Sequence, residues 1–282
     1  MEEFKKKQLE ILHELDRVCA ELGVNYYLAY GTCLGAIRHH GFIPWDDDID
    51  VFLLYSDMNR LIDSRSHFGN RYFLQGIETE ESFTLLKHNL RDSSTSYFTD
   101  KDDIEDINHG MYIDLYTLYP YPDNPIIAHK LIIDAYICML LCRTRPPLHH
   151  GIVGRMLYRI VHAFYPGKMR MRKIEKVQHF MRENGGTRYY ATFFGDDITP
   201  LSCIKFPQEL FGAPTRVAFE DYEAPCPSDP HEACRVMYGS RYMQFPPEEE
   251  RTSRHSVRYM SCTRPYTDFI GIYYQGEGAS DA

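Results

Sequence analysis

The sequence predicts an α/β (α+β) protein, a mixed β-sheet flanked by helices and interrupted by a helical insertion. Three observations lead there. Apolar residues recur at three- and four-residue steps at the start of the chain. Short aromatic or aliphatic runs bounded by glycine or polar residues follow, first soon after that start and last near residue 115. A basic, helix-patterned block then separates these runs from a C-terminal part punctuated by Pro and Gly.

Each element has its own signal. Phe4, Leu9, Ile11, Leu12, Leu15, Val18, Cys19 and Leu22 trace one helical face, which Gly23 and Asn25 stop. Tyr26–Tyr30 reads as a buried strand, broken by Gly31-Thr32. Leu34–His39 suits a short helix ended by Gly41, and Ile49–Leu54 a second strand whose entry carries Trp45-Asp46-Asp47-Asp48-Ile49-Asp50. Asp57–Ser64 is a short helix, and Tyr112–Tyr116 a further strand with a carboxylate inside it. Residues 126–142 are apolar and helical. Pro and Gly then mark short strands from about residue 185, with one helix at His231–Tyr238. These divisions give a core over 1–125, a basic helical insertion over 126–182, and a 183–282 part that completes the core domain.

The chain has 282 residues, 44% hydrophobic and 25% charged, which are ordinary globular values. A chain this long buries roughly three quarters of its unfolded surface. A net charge of −9 argues against a nucleic-acid partner. The charge is uneven: residues 143–182 hold ten Lys or Arg against one Glu, a formal +9, so the remainder carries −18. None of the eight cysteines forms a CxxC pair, and they read as core thiols of a reducing cytoplasm. Met1-Glu2-Glu3-Phe4-Lys5-Lys6-Lys7 leads into no apolar signal core, and no run of about 20 apolar residues is expected to span a bilayer.

Chemistry concentrates in Tyr30–Val51, YGTCLGAIRHHGFIPWDDDIDV. Gly31 lets backbone N–H groups approach an anion closely, and Thr32 adds a hydroxyl at a helix start. Asp48 and Asp50, two apart on an extended strand, point to one face and repel each other unless a cation lies between them. Such hard oxygen ligands suit Mg²⁺ or Mn²⁺. Asp114 reads equally as a third ligand or as an edge-strand carboxylate facing water. Taken alone each feature is weak. The order strand, Gly-Thr, helix, strand with Asp-x-Asp, later strand with Asp is the layout of the nucleotidyltransferase fold.

The stretch GTCLGAIRHHGFIPWDDDIDV resembles the signature of the LicD family, bacterial phosphotransferases of cell-surface glycans related to fukutin and fukutin-related protein. The resemblance continues in KHNLRDSSTSYF (87–98), MYIDLYTLYP (111–120) and YGSRYMQFPPEEERTSRH (238–255). It departs at Arg241, where many relatives carry an acid. The resemblance implies transfer of an alcohol phosphate, phosphocholine from CDP-choline in the first instance, to a hydroxyl of a glycan, with release of CMP. The acceptor would be a lipid-linked, lipopolysaccharide- or teichoic-acid-like precursor. It further implies a metal held by Asp48, Asp50 and Asp114, with Asp114 as ligand or base. Gly31 and Thr32 would hold a donor phosphate, and Arg38, Lys87 and Arg91 would clamp phosphate oxygens. His255 matches the family's C-terminal histidine.

A choline head group needs a cation–π cage, and Trp45, immediately before the acidic run, is a candidate wall. The basic segment and the 126–142 helix suggest a cytoplasmic protein in peripheral contact with the inner, anionic face of the cell membrane. Two rivals share these features. A nucleotidyltransferase would attack an NTP and release diphosphate, and a non-catalytic relative would only bind glycan or lipid.

Overall fold

The structure is a computed structural model, and it describes residues 2–80, 82–83, 85–99, 106–142, 151–165, 169–193, 203–252 and 256–274. The chain divides into two compact units: residues 1–83, 88–116 and 210–282, and residues 84–87 and 117–209. The second unit is wider than the 126–182 block set apart by sequence. It takes in residues 183–209 and the far half of one long strand.

In the first unit, helix α1 (Glu2–Leu22) buries Phe4, Ile11, Leu12, Leu15, Val18 and Cys19, the face its apolar spacing marks. Strand β1 (Tyr26–Leu28), helix α2 (Tyr30–His39), strand β2 (Asp50–Leu54) and helix α3 (Tyr55–Asp63) follow. The sheet continues with β3 (Tyr72–Gln75), β4 (His88–Asp92) and β6 (Met111–Tyr121), and its order is β1-β2-β6-β4-β3. β1 runs antiparallel to β2, β4 to β6, and β3 to β4. Strand β5 (Ser96–Thr99) pairs separately with β11 (Val257–Ser261), and β9 (Thr215–Phe219) with β10 (Tyr222–Cys226). Helix α7 (Pro230–Tyr238) starts where its residues dictate: Pro230 opens it, and the Asp229 side chain accepts the Glu232 N–H at 2.9 Å.

Strand alternation sorts this sheet into two faces. Ile49, Val51 and Leu53, Met111, Ile113 and Leu115, and Leu90 all join the main apolar core. The opposite face therefore carries Asp50 and Phe52 on β2, Tyr112, Asp114 and Tyr116 on β6, and Asn89 and Arg91 on β4. Ring contact between Phe52 and Tyr116 (6.5 Å) places β2 and β6 side chains on that shared face. Burying polar residues there, rather than leaving the face to water, positions the site described below.

In the second unit, the end of β6 pairs with β7 (Tyr189–Ala191), and β7 with β8 (Lys205–Pro207). Three helices follow β6 in the chain, α4 (Pro125–Cys142), α5 (Gly151–Phe164) and α6 (Met169–Glu183). Asp134 of α4 joins Lys130 (2.7 Å) on its own helix to Lys173 (2.5 Å) on α6. Leu140 and Leu141 of α4 pack on Val161 of α5. By length and composition alone α4 is apolar enough to cross a membrane, which the sequence reading did not anticipate, and 39% of it is buried in this unit.

Candidate active site

The site is built at the turn from β1 into α2. Tyr30 opens α2 with φ of 38°, a left-handed conformation rare for a tyrosine. Edge-on contacts of its ring with Phe52 (4.9 Å) and Tyr116 (5.2 Å) hold it there. This turn brings Gly31 and Thr32 against the acidic run. A Cβ on Gly31 would overlap the carboxylate oxygen Oδ2 of Asp46. Thr32 is buried, and its Oγ1 accepts the Asp50 backbone N–H at 2.9 Å. The Asp50 carbonyl in turn accepts the Ala29 N–H at 2.9 Å. Both residues expected to hold a phosphate thus also fix the acidic strand entry.

The acidic loop is anchored from outside as well. Gln8 of α1 donates to the Asp47 carbonyl at 3.1 Å and to that of Tyr112 at 3.4 Å, so one side chain ties the loop to β6. The Lys5 ammonium approaches the Ile43 carbonyl at 3.4 Å. Desolvation lowers its pKa, and the charges of Asp46, Glu220 and Asp47 pull it partly back. Asp47 and Asp50 are buried, and Asp48 is half-buried.

Asp114 stands next to Asp50. Its backbone N–H donates to the Ile49 carbonyl at 2.8 Å, and its side chain is buried on the polar face. Opposite it in the β4–β6 register lies Asn89, which is 1% exposed. Asn89 Nδ2 donates to Asp114 Oδ1 at 2.6 Å, while Asn89 Oδ1 is buried without a hydrogen-bond partner. Asp50, Asp114 and Asn89 therefore form a row across three neighbouring strands. Nothing in the sequence singles out Asn89, because only the strand register reveals its position.

Tyr238, the last residue of α7, opens the C-terminal motif YGSRYMQFPPEEERTSRH (238–255). Tyr238 is exposed, yet desolvation of its hydroxyl, followed by the charges of Asp50, Cys234 and Asp46, pushes its pKa well above the usual phenol value. The hydroxyl is thus a neutral proton donor beside the acidic cluster.

The basic candidates are placed differently. Arg91 lies on β4, a strand and not a helix, and is buried. Its Nε donates to Gln75 Oε1 and its Nη1 to the Gly110 carbonyl at 2.7 Å, while its guanidinium stacks on Tyr112 at 4.4 Å. These bonds knit β3, β4 and the start of β6. Lys87, which belongs to the second unit, is buried too. Arg38 reaches the carbonyls of Tyr242 and Gln244, each at 3.3 Å. Its guanidinium lies 6.0 Å from Trp45 and 4.9 Å from Phe245, and Arg251 sits 5.5 Å from each of the same two rings. Trp45 thus already stacks with two arginines. His255 lies outside the described residues.

Among the described residues, no three His, Cys, Asp or Glu side chains are gathered as a ready metal group. The donor atoms available on the polar face are oxygens, from the buried carboxylates of Asp50 and Asp114 and the Asn89 carbonyl, while the half-buried Asp48 lies in the loop that enters β2. That set matches a hard divalent cation.

Residues 23–133 match the family model described as LicD/FKTN/FKRP, nucleotidyltransferase domain. This stretch is a LicD-family domain. It contains Gly31, Thr32, the acidic run, Asn89 and Asp114, and it leaves out Tyr238 and His255. The chain is 24% identical to lipopolysaccharide cholinephosphotransferase LicD of Haemophilus influenzae, over 89% of this chain and 95% of that protein. It is 37% identical to ribitol-5-phosphate transferase FKTN of Mus musculus, over 19% of this chain and 12% of that one. With ribitol 5-phosphate transferase FKRP of Mus musculus it shares 30% identity, over 35% of this chain and 17% of that protein.

Proposed function

We propose that the protein transfers an alcohol phosphate from a CDP-activated donor to a hydroxyl of a glycan or its lipid-linked precursor, releasing CMP. The observation that carries this reading is the buried row of Asp50 and Asp114 on adjacent strands, inside a LicD-family domain. In the reaction a bond forms between the acceptor oxygen and the alcohol-bearing phosphorus. The bridging bond to CMP breaks, and the hydroxyl proton passes to a carboxylate of the cluster.

Asp48, Asp50 and Asp114 would hold Mg²⁺ or Mn²⁺, which supplies charge neutralisation at the diphosphate. The chain's own residues do the positioning. Thr32 holds the main chain of Asp50, Gly31 leaves room for Asp46, and Asn89 fixes the orientation of the Asp114 carboxylate. The Tyr238 hydroxyl, kept protonated, can donate a hydrogen bond to donor or acceptor oxygens.

The relation to cholinephosphotransferase LicD along nearly its whole length favours CDP-choline as donor. A second donor class is favoured by one local observation. Two guanidinium groups already lie over Trp45, so a quaternary ammonium would meet cations there instead of a free aromatic face. A neutral polyol phosphate, as in the ribitol-phosphate transferases, avoids that repulsion. In this reading the enzyme works in the cytoplasm, where a lipid-linked acceptor would present its glycan at the inner membrane face.

A donor screen tests the reading. Purified protein with Mg²⁺ or Mn²⁺ and a lipid-linked glycan extract is offered CDP-choline, CDP-ribitol, CDP-glycerol and CTP, beside Asp50→Asn and Asp114→Asn. CMP from one CDP-alcohol, lost in both variants, is the expected result. Diphosphate from CTP would instead make the protein a nucleotidyltransferase, and no turnover with any donor would favour the binding-only relative.

A further inference from the structure

The second unit carries a helix that is apolar on the wrong side. Along α5, Tyr158, Val161 and His162 face inward: Val161 packs on Leu140 and Leu141, and His162 Nε2 meets the Leu140 carbonyl at 3.0 Å. At about 100° per residue these positions fill one sector of the helix. Met156, Leu157, Ile160 and Phe164 fall within a separate arc of about 100° on the other side. They are 62%, 37%, 40% and 72% exposed. Arg155 and Arg159, also exposed, occupy the arc beside them.

A soluble helix normally presents one apolar stripe to its core and polar residues to water. Here a second stripe of large side chains stands in solvent, rimmed by cations. Exposed apolar patches rimmed by charge mark contact surfaces. The rim decides which partner fits. The segment 143–182 has ten Lys or Arg and one Glu, inside a chain whose remainder carries −18. Helix α6, next in the chain and packed on α4, also exposes Arg172, Lys176 and Arg182 and two methionines, Met169 and Met171. A second copy of this cationic segment would be repelled by its own charge, whereas an anionic lipid surface attracts it and also accepts the apolar stripe.

We propose that the outer face of α5 docks into the interfacial layer of an anionic membrane, with Met156, Leu157, Ile160 and Phe164 entering the headgroup–acyl boundary. This adds α5 to the surface expected on residues 126–142, where α4 gives Leu131, Ala135, Cys138, Leu140 and Leu141 to the interior and keeps Ile126 and Ile133 exposed. The inference stands independently of the transfer reaction proposed above.

Vesicle binding by the full chain tests it. Mixed phosphatidylglycerol–phosphatidylcholine vesicles should sediment the protein at low salt, and pure phosphatidylcholine should bind it at least ~10-fold more weakly. Ile160→Glu with Phe164→Glu should lower binding to the anionic vesicles at least ~10-fold with an unchanged Tm, because both side chains already face solvent. Leu157→Trp supplies a second readout. Its emission should shift to the blue on the anionic vesicles, over a background of one other tryptophan, Trp45. Equal binding by wild type and the double glutamate variant overturns the proposal, as does a Leu157→Trp emission that vesicles leave unmoved. Lipid-free sedimentation giving a dimer that the double variant dissociates would show that a second copy covers the face, and this too overturns it.

Discussion

In the first unit, Asp50 and Asp114 are buried on one face of a sheet whose other face consists of Ile49, Val51, Ile113 and Leu115. In the second, Met156, Ile160 and Phe164 stand in solvent, and the acid Asp134 is gripped by Lys130 and Lys173. The same residue type thus works in opposite ways. Asp134 has two cations and ties helices together. Asp114 accepts from the Asn89 amide at 2.6 Å, which orients the carboxylate on the sheet face. The first arrangement gathers acids on one sheet face, and the second ties two helices together.

The sharpest test of that contrast is to neutralise each acid in turn. Asp50→Asn and Asp114→Asn should each reduce CMP release about 10³-fold, roughly 4 kcal/mol of transition-state stabilisation. Thermal unfolding should leave Tm close to the wild-type value, because Asn keeps the volume and one oxygen of each acid. A chelator should give the same loss in the wild type, reversible by Mg²⁺ or Mn²⁺. Loss of Tm in step with activity would make these acids architectural and erase the contrast.

Asp134→Asn should do the reverse, leaving CMP release per folded molecule intact and lowering stability. Burial of Asp134 raises its pKa, but hydrogen bonds and charge from Lys130 and Lys173 outweigh that and leave it below the ordinary value of 3.8. A depressed folded-state pKa contributes stability that is fully present above the unfolded value and disappears as pH falls through the folded one. Urea unfolding at pH 7 should therefore separate wild type from variant by about 2 kcal/mol. Well below pH ~4 the two curves should converge, since the wild-type carboxyl is then protonated.

The first unit was the more legible of the two. Apolar periodicity marked α1, and the short runs around residues 28, 52 and 114 marked β1, β2 and β6, because each strand presents an aliphatic face to the core. Asp114 was conspicuous as a carboxylate between Ile113 and Leu115. Strand β4 was not, because His88-Asn89-Leu90-Arg91-Asp92 buries polar residues on both faces, and only Leu90 reports the core. Arg91 was marked only by the family resemblance, as a phosphate clamp, and its bonds to Gln75 and Gly110 and its stacking on Tyr112 inside the sheet carry no signal in the sequence. The boundary between units was hidden for another reason: it falls at Thr117, in the middle of the unbroken strand β6. Periodicity along a strand carries no mark of where its neighbours change.

Asn89 offers a subtler break. Its carbonyl is buried without a partner, so the residue is a poor choice on stability grounds alone. Asn89→Leu, of similar volume, removes that carbonyl and the donor to Asp114 together. Unfolding should show a loss of about 1–3 kcal/mol, since Leu leaves the buried Asp114 oxygen without its Asn89 donor. Meanwhile kcat should fall about 10-fold, roughly 1.4 kcal/mol, with little change in donor KM. A stability loss with full activity per folded molecule would mean that the amide serves the sheet and not the carboxylate.

The smallest expected effect separates room needed by the site from room needed by the fold. A Cβ at Gly31 meets the tip of the Asp46 side chain, which can rotate away. A Cβ at Gly35, one turn further along α2, meets the backbone carbonyl of Gly41, which cannot. Alanine in a helix is favoured over glycine by about 0.5–1 kcal/mol. Gly31→Ala should therefore hold or slightly raise Tm while lowering kcat about threefold, because Asp46 loses its seat beside Gly31 and Tyr238. Gly35→Ala should cost about 1–3 kcal/mol of stability through backbone displacement at the close of α2. If Gly31→Ala unfolds as readily as Gly35→Ala, the Asp46 carboxylate is a fixed part of the fold. Asp46 would then belong with Asp134, as architecture, and its contact with Gly31 would carry no part of the reaction.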